Sequence, residues 1–123
     1  MAQEVAQSGQ ANVQTTVKIT RPFRETDMGG VSITYILANG MFIRPTRMYR
    51  SRTGNHGTDT WVLEPGRYTI VDIQRPNLKN GPKPFHVTVQ CTEVSNGSLS
   101  VLSRKEFYTM SLEDAKNLAK VAC

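Results

Sequence analysis

The chain has 123 residues, 38% of them hydrophobic and 20% charged, with 15 basic against 10 acidic side chains and a formal net charge of +5. That length suits one domain and buries about 65% of the unfolded surface, enough for a core without staples. It carries no apolar run near the roughly 20 residues of a membrane span and no leader of secretory type, so no membrane role is expected and the expected compartment is the cytoplasm, of a bacterium or of a virus-infected cell.

Residues 1–12 are rich in Gln, Ala, Ser and Gly and are expected to form a flexible arm ahead of one β-rich domain over 13–123. Val13, Thr15, Val17 and Ile19 alternate with polar residues, the period of a strand with one buried face. Pro22 is expected to end that ladder, and Gly29-Gly30 to turn the chain. In "VSITYILANGMFIRPTRM", Asn39-Gly40 between two β-rich runs predicts a hairpin, because its tight turn needs positive φ at both central positions. The two-residue loop sets a register: Leu37 opposite Phe42, Ile36 opposite Ile43, Tyr35 opposite Arg44, Ile33 opposite Thr46, and Ser32 opposite Arg47.

The stretch "RPTRMYRSR" then places four arginines in nine residues without an acid, so it supplies +4 and the other 114 residues net only +1. "SRTGNHGTDT" has the composition of a loop. "TWVLEPGRYTIVDIQ" predicts a second hairpin on Pro65-Gly66, with Trp61, Leu63, Tyr68, Ile70, Val71 and Ile73 in the core. "RPNLKNGPKP" is a turn-rich connection. Phe85, Val87, Val89 and Cys91 alternate again, and Asn96-Gly97 opens a third hairpin into "SLSVL".

The chain closes on a helix over 111–121. Ser111 is its N-cap, with Asp114 three residues on. Leu112, Ala115, Leu118, Ala119 and Ala122 share one face, and three turns need a sheet to pack on. Six to seven short strands followed by one helix predict a mostly β fold, a small antiparallel barrel or compact sandwich.

Cys91 falls in an apolar run, as a small buried hydrophobe would, and Cys123 is the last residue; the sequence leaves open whether they are bonded. Two cysteines and two histidines at unrelated spacings make no metal constellation, and no cofactor motif is present. His56 in a Gly-flanked loop and His86 at a strand start lack an evident nucleophile. Asp59, Glu64 and Asp72 cannot be gathered from sequence into an acid–base pair. A non-enzymatic binding module is expected.

Arginine matches phosphate oxygens in forked pairs and stacks on bases. Arg44, Arg47, Arg50 and Arg52 with Tyr49, and Tyr35 nearby, therefore predict a platform for single-stranded DNA or RNA, with charge for the backbone and rings for the bases. Arg67, with Arg21 and Arg24, is expected to extend it. The alternative is an interaction or assembly subunit (a viral structural, accessory or inhibitor protein) that uses the same Arg/Tyr surface and the arm to dock on an acidic protein or to self-associate. Charge and Pro45 would equally protect a sheet edge.

Overall fold

The computed structural model of the chain describes residues 16–26, 29–47, 55–76 and 84–123. In chain order β1 is Val17–Glu25, β2 Val31–Ala38, β3 Met41–Ile43, β4 Thr46–Arg47, β5 Asn55–Leu63, β6 Gly66–Arg75, β7 Phe85–Ser95 and β8 Ser98–Thr109, and α1 is Leu112–Val121. The strands form one antiparallel sheet in the order β4-β5-β1-β2-β6-β7-β8, with β3 also paired to β2. The fold is mostly β with one C-terminal helix, as expected. The sheet is not closed among the described residues, because β4 and β8 end it without pairing to each other.

Two of the expected hairpins form. Asn39 and Gly40 take φ of 53° and 75°, and Asn96 and Gly97 take 54° and 73°. These are the left-handed values that a tight turn matched to strand twist demands. Ile36 lies opposite Ile43 and Leu37 opposite Phe42, in the expected register. Pairing then stops. The expected partners of Tyr35, Ile33 and Ser32 are replaced, because Pro45 interrupts the second arm and Thr46 and Arg47 pair with Thr60 and Asp59 of β5. One expected strand thus becomes two, β3 and β4, and the path through the sheet holds seven strands with β3 beside it.

Three further expectations are corrected. Pro22 does not end β1 but sits within it, opposite Thr58. β1 meets β2 only at Arg24 and Glu25, so at Pro22 its second edge needs no N–H. The stretch 55–60 is strand, not loop, held by nine continuous pairs to β1 that override its polar, glycine-containing composition. Pro65-Gly66 does not make a hairpin: β5 pairs with β4 and β1, and β6 with β2 and β7, so the connection passes over β1 and β2 of the same sheet. Tyr68 braces this corner, its hydroxyl donating to the Glu64 carbonyl at 2.7 Å. Burial, and then the Glu64 charge, push that hydroxyl above its usual pKa, so it keeps its proton.

Strand parity produces two dry clusters. Odd positions of the central strands (Leu37, Val71, Ile73, Phe85, Val87, Val89) pack under Ala115 and Ala119 of α1. At one end of the opposite face Ile36, Ile70 and Val94 meet Ile19, Trp61 and Leu63 from β1 and β5, and Trp61 Nε1 donates to the Ile43 carbonyl at 3.2 Å. Each fully buried Ile contributes about 1.5–3 kcal/mol. The Ser111 hydroxyl caps α1 by accepting from the Asp114 N–H at 3.0 Å, as expected. Leu118, placed by periodicity on the packed face, is instead 47% exposed. Cys91 and Cys123 form a disulfide, with Cα atoms 5.8 Å apart, which clips the end of α1 to β7. No helix among the described residues is long and apolar enough to cross a membrane.

Candidate functional site

The even positions of β2, β6 and β7 turn polar away from the Trp61 cluster: Ser32 and Thr34, Asp72 and Gln74, then His86, Thr88 and Gln90. Because β1 leaves β2 after two pairs, it cannot cover this part of the sheet. An open groove of about 480 Å³ results, lined by Arg21 at the β1 wall, Asp72, Gln74, His86 and Gln90 on the floor, and Arg104 on β8. At the usual strand spacing the floor runs about 14 Å from β2 to β8.

The groove has a fixed polar network. Thr34 Oγ1 donates to Asp72 Oδ1 at 2.6 Å. Glu106 bridges two neighbours, with Oε1 3.0 Å from His86 Nε2 and Oε2 3.4 Å from Arg104 Nη1. The His86 ring in turn stacks on Tyr108, with centroids 5.0 Å apart and planes inclined by 22°. Tyr108 is 69% exposed, so the outer ring of this stack is open. A second cavity of about 450 Å³ continues the groove past Ser32, Gln74 and His86 to a shelf made by Pro76, Pro84 and Tyr108. Arg75 is committed elsewhere: its Nε donates to the Gly29 carbonyl at 2.7 Å, and its guanidinium lies 4.4 Å over Phe85. Arg21 forms no ion pair with the described residues. A flat ring with one face open at the end of a polar groove lined by two guanidinium groups and amide side chains suits a planar ligand that carries negative charge along its length.

Of the residues expected to act together, Arg44, Tyr35 and Arg67 do not line this groove. Tyr49, Arg50 and Arg52 lie outside the described residues. Arg44 is exposed between β3 and β4, and Arg47 occupies β4 opposite Asp59. Asp59 is in turn opposite Arg21 on β1, so the backbone row Arg47–Asp59–Arg21 leads from the arginine-rich stretch to the groove wall. Tyr35 lies on the helix side, edge-to-face with Phe42 at 5.6 Å. Lys116 Nζ sits 4.9 Å over Tyr35 and 5.2 Å over Phe42, and Lys120 Nζ 5.4 Å over Phe42. These rings are already capped by cations. Arg67 is exposed and 3.8 Å from Glu93. His56, expected in a loop, is within β5 opposite Arg24.

Sequence reasoning missed Arg104, Glu106 and Tyr108 and set His86 aside. A signal was present: three runs, in β2, β6 and β7, each alternate an apolar parity with a polar one. Only their adjacency, which the sequence does not carry, turns three polar parities into one surface. Comparison with protein-family models, curated proteins and solved structures finds no match to this chain.

Proposed function

We propose that this protein is a non-catalytic binding module for single-stranded nucleic acid and that the ligand lies in the sheet groove. The observation that carries this reading is the His86–Tyr108 stack with its outer face open, at one end of the groove that Arg21 and Arg104 line further along. A base extends the stack on Tyr108, and the two guanidinium groups take phosphates. Ser32, Gln74, Thr88 and Gln90 offer donors and acceptors to base edges. The arginine-rich stretch then feeds the groove along the row that ends at Arg21. A second reading, an interaction or assembly subunit, is supported by the free edge of β8. The Cys91–Cys123 bond supports work in an oxidising compartment, in place of the cytoplasm expected from the sequence.

Fluorescence anisotropy with a labelled single-stranded oligonucleotide tests the first reading. Tyr108→Ala weakens binding about 5- to 150-fold, the worth of one stacked base, without lowering the melting temperature. Two phosphate contacts give a logarithmic salt slope near −1.4, so binding weakens about sevenfold from about 50 to 200 mM salt. Absent binding at low salt, or binding indifferent to both Tyr108→Ala and Arg21→Glu, overturns it.

A further inference from the structure

We infer that β8 is a self-pairing edge and that two copies of the chain join their sheets through it, antiparallel, about a two-fold axis at Lys105. Among the described residues β8 is the last strand of the sheet, twelve residues long, and pairs only with β7. Its residues from Ser100 to Glu106 are all exposed, and Val101 and Leu102 are each 50% exposed. In a regular strand every second residue turns its N–H and C=O onto such an edge, which is a template for another strand. Edges are ordinarily blunted by short length, proline, charge (above all Lys), a bulge or a covering element. β8 is long and proline-free, and its charges are of both signs. Its bulge lies at Leu102, between the pairs Cys91–Ser103 and Thr92–Val101, which leaves 103–109 regular.

The sequence of that regular half selects the partner. A two-fold axis normal to the sheet keeps each face on its own side, so a residue can oppose only one of its own parity. With the axis at Arg104 or at Glu106, that residue meets its own copy and no Arg104–Glu106 pair forms. With the axis at Lys105, Arg104 of each copy lies opposite Glu106 of the other, giving two opposite-charge pairs on the groove face. On the helix face Ser103 meets Phe107. Lys105 meets itself at the axis, where its Nζ is drawn aside to donate to the Ala122 carbonyl at the end of α1. This register leaves both helices on one side and both grooves on the other, joined at the seam. It also sets Leu102 of the second copy opposite Tyr108, so pairing of β8 competes with a base stacked there; self-association is read by mass without any ligand, so its failure is distinct from failure of nucleic-acid binding.

Sedimentation equilibrium on the full chain is the test. The wild-type protein has twice the 13.7 kDa chain mass at micromolar concentration. Arg104→Glu alone and Glu106→Arg alone each turn two attractive pairs into two repulsive ones and weaken self-association roughly 30-fold. Mixing these two variants restores a dimer containing one of each, because every cross-strand pair is again opposite in sign. Circular dichroism on each variant confirms that it is folded. A monomeric wild type, a dimer that ignores both reversals (as an exchange of residues 1–12 would give), or no recovery on mixing overturns the inference.

Discussion

Along β7, Phe85, Val87 and Val89 are buried beneath α1, while His86, Thr88 and Gln90 at the alternate positions line an open polar groove. The same division runs through β6, where Val71 and Ile73 are buried and Asp72 and Gln74 face the groove. One set of backbones therefore carries two surfaces with different duties. The helix side is sealed by apolar contact and a disulfide and holds the fold. The groove side keeps only its Trp61 end dry, and the remainder is an open polar groove. Binding and stability are thus separable residue by residue on a single strand.

Substitutions on the two faces put that division at risk in order of size. Ile73→Ala opens a cavity on the sealed face and costs about 4 kcal/mol, read as the midpoint of denaturant unfolding. Reduction of the Cys91–Cys123 bond, or Cys123→Ser, frees a loop with a sequence separation of 32, and a loop of that size costs about 3.5 kcal/mol. Because α1 is on the far face, oligonucleotide affinity measured below the new melting temperature stays within about twofold. Gln90→Ala, on the groove floor, changes stability by less than about 0.5 kcal/mol. A large loss from Gln90→Ala, or a small one from Ile73→Ala, would show that the two faces do not divide the work this way.

Local chemistry in the sequence carried a good part of this fold. The two Asn-Gly turns, the capped helix at Ser111 and the alternation of Phe85, Val87 and Val89 each follow from residues within a few positions of one another. Pro65-Gly66 shows where that stops, because a turn signal specifies a change of direction but not which edge the next strand joins. The polar start of β5 became strand through nine pairs with a segment some forty residues away. Cys91 and Cys123 were visible as two thiols, but only the docking of α1 brings them together. The site was hidden for the same reason. A dense run of like charge drew notice at Arg44–Arg52, whereas Arg21, Gln74, His86, Arg104 and Tyr108 come from four strands and are unremarkable one at a time.

Mapping the bound ligand by amide chemical-shift perturbation, with unlabelled single-stranded oligonucleotide added to isotopically labelled protein, tests the central claim most directly. The account predicts that Ser32, Gln74, Thr88, Gln90, Arg104 and Tyr108 shift together and saturably, while Val71 and Val89 beneath the helix, and Ala115 on it, do not. Shifts confined to Lys116, Lys120 and Phe42 on the helix side, or no saturable shifts at all, would contradict it.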